Sequence, residues 1–184
     1  MKLLKWTMLL VFVLCLCVAR DGWAKKNKYS GVLTANPIGL LFGALNASYE
    51  IPLSNQNSFS IIGSYWGFKI GDYSSSAIGA GADYRFYFEP TCPTSVYWGP
   101  TASIMIASTS YKSPLTNKTE TGGGVVLYPG AEIGYQWILD NGFAIDVGGM
   151  LGVYLGSISV GGGSGGFSGV GFGVKLGLGY AFKS

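Results

Sequence analysis

Between residues 170 and 182, large apolar side chains alternate without a break with small or charged ones. Val170, Phe172, Val174, Leu176, Leu178, Tyr180 and Phe182 fall on one side, and Gly171, Gly173, Lys175, Gly177, Gly179 and Ala181 fall on the other. A strict period of two defines a strand with one wholly apolar face. The same alternation places Phe143, Ile145, Val147, Gly149, Leu151 and Val153 opposite Ala144, Asp146, Gly148, Met150 and Gly152. It recurs with Ile78, Ala80, Ala82, Tyr84, Phe86 and Phe88 opposite Gly79, Gly81, Asp83, Arg85 and Tyr87. Each run has about 10 residues or more, the length a tilted strand needs to cross a bilayer. No stretch shows a sustained 3.6-residue period.

Four segments share one ending: Tyr49-Glu50-Ile51, Tyr84-Arg85-Phe86, Tyr135-Gln136-Trp137 and Tyr180-Ala181-Phe182. In each, the tyrosine and its apolar partner lie on the apolar face. Turn-rich connections follow three of them, at residues 52–58, 89–95 and 139–142. These read as four strands descending to one membrane interface, where Tyr49, Tyr84, Phe86, Tyr135, Trp137, Tyr180 and Phe182 form an aromatic girdle. Phe59, Trp98 and Phe143 would complete it. Ascending strands are expected at about 58–69, 96–108 and 142–154, with a short one at 28–35 before the Asn36-Pro37 turn signal. The expected fold is all-β, a closed antiparallel up-and-down transmembrane β-barrel of eight strands. The other connections are 71–75, the long polar 109–124 and the Gly-rich 156–168, as in outer-membrane barrels whose longer loops face outside. Pro100 and Pro129 fall inside expected strands, where a missing donor predicts a bulge or an early end to pairing.

Alternation alone would also suit a soluble barrel, whose second face meets water and carries Lys, Glu and Thr. Here that face is Gly, Ala and Ser with isolated charges, which suits a crowded interior, and only 11% of all residues are charged. Closure would satisfy every backbone group in lipid. The same parity sends Glu50, Asp83, Arg85, Glu132, Asp146 and Lys175 into the lumen. Four acids and two bases in a narrow space must pair or neutralise to avoid the cost of isolated buried charge. They are expected to form an ion-pair network that locks the lumen; the sharper alternative is a gate or a cation-favouring constriction. The many inward glycines also suggest some water-filled space.

Lys2 and Lys5 precede an apolar run at residues 8–19, followed by Arg20, Asp21 and the small-residue site Gly22-Trp23-Ala24. The run is shorter than the ~20 residues of a membrane-spanning helix and has the pattern of a secretory signal peptide. Residues 1–24 are therefore expected as a signal peptide and 25–184 as the barrel domain. Leu14 and Leu16 precede Cys15 and Cys17 where a lipobox needs a small residue, so no lipid anchor is expected. Cys92, in a turn, is the one thiol expected in the exported chain. Without Lys2, Lys5, Arg20 and Asp21 the chain keeps 9 basic and 8 acidic residues, with no basic patch to bind nucleic acid.

Histidine is absent. Mechanisms that need an imidazole base or ligand are excluded, no cofactor or metal is expected, and the chain is read as non-enzymatic. Residues 161–166 fit GxGxxG and 162–166 fit GxSxG, but both lie in a low-complexity segment without the strand-turn-helix context those motifs need. In the 109–124 loop, Tyr111, Lys112 and Lys118 are the candidates for contact with a surface partner, because binding concentrates on exposed loops of a rigid scaffold.

Taken with Asn36-Pro37-Ile38-Gly39 and Tyr49-Glu50 in the first hairpin, the strand pattern resembles the small eight-stranded outer-membrane barrels of the OmpA/OmpX type. It is more similar still to a family of uncharacterised exported barrel proteins, over most of residues 28–184. The resemblance implies a fold and a location, the cell outer membrane of a Gram-negative-type bacterium, and no activity. It also implies a C-terminal aromatic read by the outer-membrane insertion machinery, a position that Phe182 resembles, although Lys183 and Ser184 follow it. Outer-membrane lipids are the other expected partner. The expected function is that of an envelope scaffold or surface-interaction protein acting through its outer loops; the alternative is a narrow channel for water, ions or small solutes.

Overall fold

The computed structural model describes residues 28–112, 119–160 and 163–184. The expected signal peptide and Lys118 lie outside these residues. The elements are β1 (Tyr29–Ala35), a one-turn helix α1 (Pro37–Leu41), β2 (Ala44–Pro52), β3 (Asn57–Ile70), β4 (Tyr73–Tyr87), β5 (Ser95–Lys112), β6 (Thr119–Ile138), β7 (Phe143–Val160) and β8 (Gly163–Lys183). Each strand pairs antiparallel with the next, and β8 returns to pair with β1, closing an eight-stranded barrel. Period-two sequences therefore form the strands, and closure leaves no edge along most of their length. Residues 53–56, 88–94 and 139–142 connect strands at the near end, where β1 begins and β8 stops. The remaining reversals lie at the far end.

The wall is not level. β1 and β2 have 7 and 9 residues, β3 and β4 have 14 and 15, and β8 has 21. β1 holds β8 only from Tyr29↔Lys183 to Ala35↔Leu178. Residues 163–177 of β8 therefore have no ladder partner on that side among the described residues. Val170, Phe172 and Val174, on this free edge, are about four-fifths exposed (79%, 84% and 81%).

Five expectations are corrected. The 109–124 segment is mostly strand rather than loop, since β5 and β6 continue through Thr109↔Gly122, Ser110↔Thr121, Tyr111↔Glu120 and Lys112↔Thr119. The 156–168 segment likewise pairs from Gly156↔Phe167 to Val160↔Gly163. Backbone pairing needs no apolar face, so polar and Gly-rich arms can extend a hairpin that hydropathy reads as a loop. The 71–75 connection shortens to Gly71-Asp72, with Gly71 at φ 58° in the left-handed region that favours glycine.

Asn36-Pro37 starts helix α1 instead of a plain turn. The Asn36 side chain accepts from the Ile38 and Gly39 amides at 3.0 and 3.1 Å, and Pro37 occupies the first turn, where its missing N–H costs nothing. The prolines produce neither a bulge nor an end to pairing. Pro100↔Ala131 and Ala102↔Pro129 hold β5 to β6. Their other sides face short gaps, between Asp83↔Thr101 and Phe86↔Trp98 and between Leu127↔Leu155 and Gly130↔Gly152, across which the register is unchanged.

The barrel is polar inside and apolar outside. Glu50, Ser58, Ser60, Asp83, Arg85, Glu132, Gln136 and Asp146 are buried, while Ile61, Ile78, Ile106, Ile133 and Leu151 are exposed.

Candidate functional site

All six charged residues assigned inward by parity meet at one level of the lumen. Arg85 lies at its centre, 1% exposed. Its NH1 donates to Glu50 Oε2 at 2.7 Å, its Nε to Glu132 Oε1 at 3.0 Å and its NH2 to Asp146 Oδ2 at 3.1 Å. The planar fork of a guanidinium suits this arrangement, since it offers five donors in fixed directions. Lys175 adds a second cation, with Nζ 3.1 Å from Glu132 Oε2, 3.4 Å from Asp146 Oδ2 and 3.5 Å from Asp83 Oδ2.

Neutral groups complete the network. Glu50 also accepts from Gln136 Nε2 at 2.9 Å, Tyr87 OH at 2.6 Å and Ser58 Oγ at 2.5 Å. Tyr97 OH donates to Asp146 Oδ1 at 2.6 Å, and the Arg85 guanidinium carbon stands 4.3 Å from the centre of the Tyr97 ring. Side chains from β2 through β8 thus fill the cross-section. Of the four carboxylates, Asp83 is held least well: Oδ2 reaches Lys175 only at 3.5 Å, and Oδ1 has no hydrogen-bond partner among the described residues. Ser60, its register partner on β3, has an Oγ without a hydrogen-bond partner among the described residues.

Removing only the Tyr97 hydroxyl should be costly, because a buried carboxylate oxygen would lose its donor. Tyr97→Phe is expected to destabilise the barrel by about 1–3 kcal/mol, seen as a lower urea midpoint. An unchanged midpoint would mean that the Tyr97–Asp146 bond contributes nothing.

Several inward glycines serve as sockets for aromatic rings. A Cβ at Gly134 or Gly148 would press on the Tyr97 hydroxyl, one at Gly152 on Tyr128, one at Gly171 on Tyr154 and one at Gly156 on Phe167. The glycine-rich face is therefore partly filled by rings reaching over from neighbouring strands. Above the network, towards the far end, a vestibule of about 600 Å³ remains. Ile62, Met105, Val126, Tyr128, Met150, Tyr154 and Phe167 give it an apolar wall, and Asp83 and Lys175 lie at its floor.

The aromatic residues singled out by sequence gather outside the near end. Tyr84 lies 4.9 Å from Phe86 (ring centroids), Phe86 5.0 Å from Trp98, Tyr135 4.2 Å from Trp137, and Tyr180 5.5 Å from Phe182. Tyr49 pairs in register with Leu33, and Phe143 with Tyr180. Tyr111 stands in β5, where its hydroxyl donates to Glu120 at 2.7 Å, and Lys112 ends that strand. Cys92 lies in the 88–94 connection but is buried, its Sγ 3.4 Å from the Asn57 carbonyl oxygen. Burial pushes its thiol up, away from the reactive thiolate.

Gln136, Tyr87 and Tyr97 were not singled out by sequence. Gln136 was detectable, since it shares the inward parity of Glu132 four residues earlier; Tyr97 was obscured by the outward tyrosines that end other strands. In architecture the chain is a closed eight-stranded antiparallel barrel with an arginine-centred ion network across its lumen. Compared with known proteins, it matches no family model, no curated protein and no solved structure.

Proposed function

We propose that the protein is a non-enzymatic outer-membrane β-barrel of a Gram-negative-type bacterium, exported by residues 1–24. It acts as an envelope scaffold whose far-end hairpins, β5–β6 and β7–β8, present a surface to a partner. The observation that carries this reading is the belt of exposed apolar side chains around the barrel: Leu33, Leu45, Ile61, Ile78, Ile106, Ile133, Leu151 and Phe172, one from each strand. Monomeric soluble proteins rarely expose a contiguous apolar surface of that extent.

On β7 the outward face runs from Phe143 to Leu155, which at ~3.3 Å per residue is about 40 Å of strand and about 30 Å of height at a tilt of ~40°. That height suits a bilayer's hydrocarbon layer. The near-end aromatic cluster supports an interfacial girdle, and Phe182, paired with Gly31 at the near end of β8, stands where insertion machinery would read it. The channel alternative draws support from the vestibule, but the filled cross-section around Arg85 opposes it.

Cells expressing the full chain should carry the protein in the outer-membrane fraction, and its unheated and boiled detergent extracts should migrate differently on gels. Folded extract in planar bilayers should be electrically silent. Identical mobility would overturn the membrane barrel, and a steady conductance would replace the scaffold with the channel.

A further inference from the structure

The scaffold reading leaves the vestibule unused. Ligand sites are concave and mostly apolar, with a few converging polar groups, and they commonly lie in the mouths of β-barrels. This one has two methionines and three aromatic rings in its wall and a polar floor. The charge of the floor selects the ligand. Arg85 and Lys175 face Glu50, Asp83, Glu132 and Asp146, so with all six ionised the network carries an excess of two negative charges. The one carboxylate oxygen of this network with no hydrogen bond among the described residues, Asp83 Oδ1, belongs to a residue that is 2% exposed and borders the cavity.

The rings of Tyr128, Tyr154 and Phe167 add the negative faces that attract organic cations. An anion would meet the opposite field, because the Lys175 ammonium is already engaged by three carboxylates. The cavity also has a side entrance. Consecutive residues of β8 (Val174, Lys175, Leu176 and Gly177), of β1 (Thr34, Ala35) and of β2 (Asn46, Ala47, Ser48) border it, as at an interrupted wall. This is where β8 extends past its pairing with β1. The exposed Ile38, Leu40, Leu41 and Phe42 of α1 and its C-terminal cap sit beside the gap.

We propose that the vestibule binds a single-chain amphipathic amine, with its ammonium against Asp83 and its apolar chain along Met105, Met150, Tyr128 and Phe167. The site belongs to the lumen and does not depend on whether the outer wall meets lipid or water. Met105 and Met150 both border it, and the other two methionines, Met1 and Met8, lie within residues 1–24. Methyl-labelled methionine therefore reports on the site directly.

The full chain, expressed with that label and purified folded in dodecylmaltoside from whichever cell fraction carries it, is titrated with decylamine, decanol, decanoate and butylamine. Decylamine is expected to shift both methionine signals saturably, and to bind at least about tenfold more tightly than each of the other three, a difference of ~1.4 kcal/mol. Asp83→Asn is expected to abolish the preference for amine over alcohol, and Met150→Trp to block all four. Non-saturable shifts, or equal affinities of wild-type protein for decylamine, decanol and decanoate, overturn the proposal without any variant. Both results can be read whatever the outcome of the membrane-fraction and gel experiments.

Discussion

Replacing Arg85 with Met is expected to cost on the order of 3–5 kcal/mol, the usual penalty for removing one partner of a buried ion pair. Arg85 forms direct hydrogen bonds to Glu50, Glu132 and Asp146 and a longer contact of 3.8 Å with Asp83. Without it, Lys175 is the only cation of the network left to face four carboxylates, and Lys175 makes no ion pair with Glu50 among the described residues. Methionine keeps most of the length and apolar bulk of the side chain, so the loss is one of charge and donors rather than of volume. For urea slopes of about 1–3 kcal/mol per M, the unfolding midpoint should fall by about 1 M or more. Adding Glu50→Gln to Arg85→Met should recover part of the loss, because it removes a charge left without its partner. A single variant with the wild-type midpoint would show that the network is not what holds the lumen together.

Gly179→Ala should prevent the ring from closing. A methyl group there would collide with the Leu33 carbonyl oxygen and lie 2.7 Å from Thr34 Cα. Both obstacles are backbone, so no side-chain rotation relieves them. Overpacking costs about 1–3 kcal/mol where side chains can yield, and more where they cannot. Here the strain falls on β1, whose 7 residues have few other bonds with which to resist it. The compact, heat-sensitive gel band should be lost or greatly reduced. Gly169→Ala on the same strand is the matched control, because a Cβ there meets nothing within 4 Å. Equal behaviour of the two variants would contradict the close approach of β1 to β8.

Much of this fold is legible in the side-chain alternation. β8, β7 and β4 follow from apolar residues at every second position, and parity places Arg85 and its five charged neighbours inside. Other elements leave a weaker trace. The outer arms of β5 and β6 are built from Ser, Thr and Gly, whose pairing depends on backbone groups that hydropathy does not register. Asn36-Pro37 carries both a turn signal and a helix N-cap, and only the amides of Ile38 and Gly39 distinguish them. The vestibule depends on ring placement: Tyr154 and Phe167 lie over glycines of adjacent strands, and that requires the cross-strand register, which alternation within one strand does not contain.

The seam between β1 and β8 sets the order in which this ring can form. β1 is the first strand to leave the ribosome and β8 the last, and Tyr29↔Lys183 joins residues more than 150 positions apart. The other seven interfaces are hairpins that can zip locally, whereas closure must wait for the whole barrel sequence to be synthesised. The entropy of closing so long a loop grows only logarithmically with its length; the greater constraint is timing. Until β8 arrives, β1 is a short edge strand with one side unpaired. That edge stays open to wrong pairing for the full duration of synthesis, until β8 covers it.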